Sequence, residues 1–267
     1  METKQAKITP QFGQYGSVEK LYVDKEQIAR PWGIETADTI SFFSLETGGW
    51  HTQVLQKSRP INKTNQHKTL FTVQMKEGSW QGDINEFIEN DSLIRQFDYR
   101  ALTNCWAMDI VMRFAFKKEV VQFAKVGGQH IEWDGADFYH QFQTDHVDLQ
   151  LKNCVIRIAA QNLQFSPKWK PVMYVRCSPS EKAWIVHLRL LPIIGDKEIF
   201  KIRLIGNKHT HAPKFITRLI VSLPKVANHL RYAGEFKRAN FGRLNIYPLV
   251  KIHKDEKFHL EANIFLL

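Results

Sequence analysis

Hydrophobic residues recur along this chain with a period of two. Over residues 105–116, Trp106, Met108, Ile110, Met112, Phe114 and Phe116 alternate with Cys105, Ala107, Asp109, Val111, Arg113 and Ala115. Successive side chains of a strand point to opposite faces, so one unbroken apolar face of this length predicts a long strand with one side on a core. Residues 183–191 repeat the pattern, with Trp184, Val186, Leu188 and Leu190 on one side and Ile185, His187 and Arg189 on the other. Further strand candidates are 39–45, 70–75, 120–126, 146–151, 155–160, 172–177, 200–205, 215–223, 244–250 and 258–266. Roughly a dozen short strands between polar or Gly/Pro breaks predict an all-β, mainly antiparallel fold: a large β-sandwich or supersandwich-like domain.

Helical signals are few. Asp83-Ile84-Asn85-Glu86 resembles a capping box ahead of Phe87 and Ile88 and predicts a short helix near 84–90. Ser222, Pro224, Val226, Leu230 and Gly234 supply a cap, an early proline, an apolar i/i+4 pair and a stop, which predict a helix near 224–233. No internal repeat, low-complexity tract or linker interrupts the chain, so residues 1–267 read as a single β-rich domain. A hydrophobic share of 43% with 18 Phe is ample for its core.

Charge is divided unevenly along this frame. Residues 1–150 carry 16 Lys/Arg against 20 Asp/Glu, and residues 151–267 carry 21 against 7, so the net +10 is the sum of −4 and +14. Such asymmetry points to a surface that meets an anionic partner. Lys208, Arg231 and Arg238 stand in the most basic stretch and are the candidate anion contacts, arginine adding bidentate geometry. Three cysteines without a C-x-x-C pair read as reduced thiols, and the first residues carry no apolar signal stretch, so a cytoplasmic protein is expected. No apolar run is long enough for a spanning helix, and no membrane partner is expected. An outer-membrane barrel shares the period of two, but the missing signal, the basic excess and the final Leu267 count against it.

Two features carry candidate chemistry. Trp32, Trp50, Trp80 and Trp169 sit among turn residues, where an indole can offer a flat apolar face to a sugar ring or a base. The competing reading of each is a plug folded over a sheet end. The second feature is the segment 130–148, with three histidines and five acids. Strand alternation leaves His130 with Glu132, and His146 with Asp148, on faces opposite their apolar neighbours. If those strands adjoin, two His/carboxylate pairs share a surface suited to proton transfer. Ordinary polar strand faces are the bland alternative. No H-E-x-x-H, facial-triad, P-loop, G-x-S-x-G or G-x-G-x-x-G spacing is present, so neither metal nor cofactor is expected.

These elements fit a protein that binds and modifies an acidic carbohydrate. Trp32, Trp50, Trp80 and Trp169 would stack on sugar faces, and Lys208, Arg231 and Arg238 would neutralise acid groups. His130, Glu132, His146 and Asp148 would move protons in epimerisation, β-elimination or hydrolysis. Two alternatives stand beside this: a non-enzymatic polyanion-binding module, for nucleic acid or glycan, and a structural protein that self-associates acidic half to basic half. In size and strand richness the chain resembles the large sandwiches of the galactose-mutarotase kind, in architecture alone, with no motif matched residue by residue.

Overall fold

A computed structural model of the chain describes residues 7–13, 18–46, 48–57, 61–63, 66–136, 139–193, 200–203, 209–223, 236–239 and 246–267. Their frame is two antiparallel sheets. The larger runs Gln129–Glu132, Val121–Val126, His146–Leu151, Val155–Gln164, Lys257–Leu266, Ser92–Ala101, Ser79–Glu89, Gln66–Gln74 and Gln53–Lys57, with Ile61–Lys63 also paired to Gln66–Gln74. The smaller runs Phe236–Ala239, Tyr139–Phe142, Trp169–Ser178, Ala183–Pro192, Asp109–Lys117, Gly33–Ala37 and Phe42–Ser44. Every strand pairing among the described residues is antiparallel, the all-β sandwich that the alternation predicts.

The two sheets face each other across one core. Ile110, Met112, Phe114 and Phe116 of one strand, and Trp184, Val186, Leu188 and Leu190 of its neighbour, are fully buried. Against them lie Phe71, Ile84, Phe97, Phe258 and Leu260 from the larger sheet. Removing each such side chain from water contributes about 1.5–3 kcal/mol, so this seam dominates the stability of the fold. Arg95 of the larger sheet reaches across it, with its guanidinium 5.4 Å from the Phe114 ring centre and its Nη1 donating to the Arg113 carbonyl at 2.8 Å.

Gly82 lies on the inner face of the Ser79–Glu89 strand, and a Cβ there would come within 2.2 Å of the Phe71 ring. Phe71 is itself completely buried and has nowhere to retreat. Gly82→Ala is therefore expected to destabilise the protein by about 1–3 kcal/mol through overpacking, read as a lowered urea midpoint.

Two local expectations are corrected. Residues 84–90 are not helical: residues 84–89 belong to the strand Ser79–Glu89, which is paired on both sides as far as Phe87, and Asn90 begins the following turn. Trp80, Gly82, Ile84 and Glu86 alternate inward, and Asp83 faces out to bind Lys68 at 2.9 Å instead of capping. Two flanking strands offer a full hydrogen-bond ladder that a single turn of helix cannot match. Residues 215–223, read as a strand, fall almost wholly in the helix Lys214–Ser222, the one helix among the described residues. Thr217 and Ile220 are buried at helical spacing while Phe215 and Leu219 face outward. The helix expected near 224–233 lies outside the described residues. No described helix is long and apolar enough to cross a membrane.

Candidate functional site

The smaller sheet buries its outer face as well as its inner one. All ten residues of Ala183–Pro192 are buried, and so are the first eight of Asp109–Lys117. Alternation puts the charged members of both strands on the face turned away from the core. Register then lines them up. One row crosses the sheet as Gln141, Tyr174, His187 and Arg113, the next as Val172, Arg189, Val111 and Glu35, and a third joins Tyr139 to Arg176. Adjacent strands lie about 4.8 Å apart, so five strands deliver these groups to one patch.

The patch is a continuous polar network. Arg113 Nε lies 3.3 Å from Glu35, and the same guanidinium binds Glu181. Arg176 donates to Tyr139 Oη at 3.1 Å and to Glu181 at 3.2 Å. Arg189 Nε donates to Asp109 at 3.1 Å, a pair buried on both sides. Tyr174 sits at the centre: it stacks on Tyr139 with ring centres 5.1 Å apart, meets His187 edge-on at 4.2 Å and lies 5.5 Å below the Arg189 guanidinium. His187 Nε2 lies 3.4 Å from Tyr174 Oη and 3.9 Å from Glu35 Oε2. Its Nδ1 is buried with no hydrogen-bond partner among the described residues.

Burial sets the protonation states. It raises the Glu35 carboxyl to about 6 against the opposing pull of Arg113. It also holds His187 well below the usual imidazole range, assisted by the positive charges of Arg189, Arg113 and Arg176. A carboxylate poised near neutrality and a neutral imidazole therefore stand side by side above a floor of tyrosines. Groups tuned apart in this way are what proton-transfer sites require.

No protein-family model and no curated protein matches the chain. Among solved structures it is similar to an assigned aldose 1-epimerase of Escherichia coli K12, at 7% identity, covering 98% of this chain and 99% of that one with a TM-score of 0.48. Galactose mutarotase-like proteins of Clostridium acetobutylicum and Lactobacillus casei ATCC 334 give 9% identity each and a TM-score of 0.44 each. They cover 98% and 99% of this chain and 92% and 98% of theirs. The likeness runs nearly end to end, yet at this distance it says nothing of the chemistry.

The residues singled out from the sequence lie elsewhere. His130, Glu132, His146 and Asp148 are on the solvent side of the larger sheet, and Val121–Val126 separates their two strands. Lys125 pairs in register with both His130 and Asp148, so the strands do not adjoin as the two-pair surface needs. His146 binds Asp145 at 2.7 Å, while Asp148 is held by Arg157 through two bonds of 2.7 and 2.8 Å. His130 and Glu132 stay 48% and 81% exposed, so water screens their 3.5 Å contact.

Trp32, Trp80 and Trp169 are core plugs, at most 2% exposed, and present no face to a ligand. Trp32 donates to the Ala115 carbonyl at 3.2 Å, Trp80 stacks on Tyr99 at 4.5 Å, and Trp169 meets Phe258 edge-on. Trp50 alone of the four is exposed, at 58%, stacked on Phe42 at the edge of the smaller sheet. Lys208, Arg231 and the side chain of Arg238 lie outside the described residues. The signal for the actual patch was present in the strands themselves. Charged residues at the centre of runs that are otherwise buried, as in Asp109-Ile-Val-Met-Arg113 and His187-Leu-Arg189, are costly unless paired or used.

Proposed function

We propose that the chain binds a carbohydrate on the outer face of the smaller sheet and interconverts its anomers by acid–base catalysis. The observation that carries this reading is the pair Glu35 and His187, 3.9 Å apart, one carboxyl raised to about 6 and one imidazole held neutral. With its proton on Nε2, the ring nitrogen that meets Tyr174 Oη and faces Glu35, the neutral imidazole is a donor on the same side as the carboxylate. Ionised Glu35 takes the proton from the anomeric hydroxyl. The electron pair of that O–H bond forms the carbonyl as the bond from C1 to the ring oxygen breaks. His187 Nε2–H protonates the departing ring oxygen. Reclosure on the other face of the aldehyde returns both protons to their donors, so the protein ends unchanged.

The test follows anomer exchange of glucose and glucuronate by NMR or polarimetry at pH 7. Wild-type protein is expected to accelerate it, and His187→Gln to slow the accelerated rate about 10²–10³-fold with its thermal midpoint retained. No acceleration by the wild type, or full activity in His187→Gln, overturns the reading. Sugar binding without acceleration would mean a non-enzymatic glycan module.

A further inference from the structure

Glu181 differs from the other acids of the patch. It belongs to none of the strands and projects from the turn 179–182 between Trp169–Ser178 and Ala183–Pro192, closed by Lys182 N–H to the Pro179 carbonyl at 3.2 Å. Its two carboxylate oxygens are divided between two cations. Oε2 binds Arg113, while Oε1 accepts from Arg176 at 3.2 Å and from the Ser178 hydroxyl at 3.2 Å. Those donors are held in place by other groups. Arg113 is also bound by Glu35, and Arg176 lies against the Tyr139 ring at 5.4 Å and donates to its hydroxyl.

Exposure separates this contact from its neighbour. The Arg189–Asp109 side chains are 5% and 6% exposed, a permanent buried pair. Glu181 is 37% exposed, whereas the arginines it bridges are 6% and 18% exposed. Swinging Glu181 outward thus returns a half-hydrated carboxylate to water and turns the Arg113, Arg176 and Ser178 donors that hold it toward a competing anion. Among the described residues, Arg113 faces Glu35 and Glu181, Arg176 faces Glu181, and Arg189 faces Asp109.

We propose that Arg113, Arg176 and Ser178 form the subsite for a ligand carboxylate, and that Glu181 is its internal occupant, displaced when a hexuronate binds. This rests on the anomer-exchange reading of the same patch and specifies its substrate class. Covalent chemistry favours a uronate, because a hexuronate carries its carboxylate on C5, the carbon bonded to the ring oxygen. The group that holds that carboxylate must therefore sit beside the groups that work at the ring oxygen and C1. Arg113 meets this condition by touching both Glu181 and Glu35. A carboxylate also reproduces the two-oxygen bridge that Glu181 makes, which a neutral hydroxymethyl group does not.

Calorimetric titration of wild type, Glu181→Gln and Glu181→Ala with glucuronate, glucose and inorganic phosphate tests the proposal. A tethered competitor acts at millimolar effective concentration, so its removal is expected to raise the glucuronate-to-glucose affinity ratio about tenfold. In wild-type protein, saturating glucuronate, and not glucose, is expected to speed amide hydrogen exchange at Ser180–Lys182. That second arm decides if the variants fail to fold. An unmoved or lowered ratio, a turn that glucuronate leaves unaltered, or phosphate binding as well as glucuronate overturns the subsite. A raised ratio without any acceleration of anomer exchange would uphold the subsite and sink the catalytic reading. Accelerated exchange of glucose with an unmoved ratio would do the reverse.

Discussion

Glu35→Gln is expected to lower kcat/KM for anomer exchange by about 10³-fold, the largest single loss in the patch, since a positioned general base contributes about 10²–10⁴. The amide keeps the size of the side chain and a contact with Arg113, but it cannot accept the anomeric proton. The pH profile separates this role from mere packing. Glu35 must be ionised to act, and burial raises its carboxyl to about 6. Wild-type kcat/KM is therefore expected to climb with pH up to about 6 and then level. In Glu35→Gln that acid limb is expected to vanish along with the rate. A variant that loses rate but keeps the limb would assign the limb, and the base, to another group. Structural damage would instead appear as a lowered thermal midpoint with the profile unaltered.

Arg95→Met is expected to destabilise the protein by about 3–5 kcal/mol at pH 7.5, because it strands a buried carboxylate. Arg95 and Glu86 face each other in register, 2.8 Å apart, with both side chains 0% exposed in the seam between the sheets. His67 stands beside Glu86 on the next strand, with its ionisation pushed down by burial. Burial raises Glu86 to about 7 even with Arg95 present. Its folded value thus lies above its unfolded one near 4.5, so the folded state holds a proton that the unfolded chain has released. The contribution of Glu86 to stability is greatest below pH 4.5 and declines as pH rises through about 7; Glu35 adds the same sign with its midpoint near 6. Urea unfolding at pH 5 and 7.5 checks this. Arg95→Met should lie closer to wild type at pH 5, and adding Glu86→Gln should recover much of the loss at pH 7.5. An equal deficit at both values would place the effect in lost packing on Phe114.

Much of the frame was legible in local pattern. The alternation over 105–116 is split at Met108: Cys105–Ala107 pairs with Val250–Ile252 in a small sheet of its own, while Asp109–Lys117 pairs with Ala183–Pro192 in the middle of the smaller sheet, and His146–Leu151 begins and ends where the pattern does. Local reading failed where another element competed for the same residues. Asp83–Glu86 has the chemistry of a cap, but two neighbouring strands claimed it. Residues 215–223 alternate well enough for a strand, yet their buried positions are spaced as in a helix.

Tryptophans in turns looked accessible because turns lie at surfaces. Trp32, Trp80 and Trp169 nonetheless fold their rings inward, where each removes more apolar area from water than any smaller side chain would. His130 and His146 drew attention through local density of acids and histidines, a signal that a solvated strand face produces equally well.

The sequence by itself determined the β-rich, mainly antiparallel sandwich class and the apolar face of its central strands, because burial of alternate apolar positions is a local property repeated along the chain. It also contained every residue of the candidate site, spread from Glu35 to Arg189. Only the tertiary structure decided that Glu35, Arg113, Tyr174, His187 and Arg189 meet, since strand order and register join positions that lie up to 154 residues apart. It decided their chemistry too: a carboxyl rises to about 6 and an imidazole stays neutral because neighbouring strands bury them beside three arginines, an environment that no stretch of the chain possesses alone.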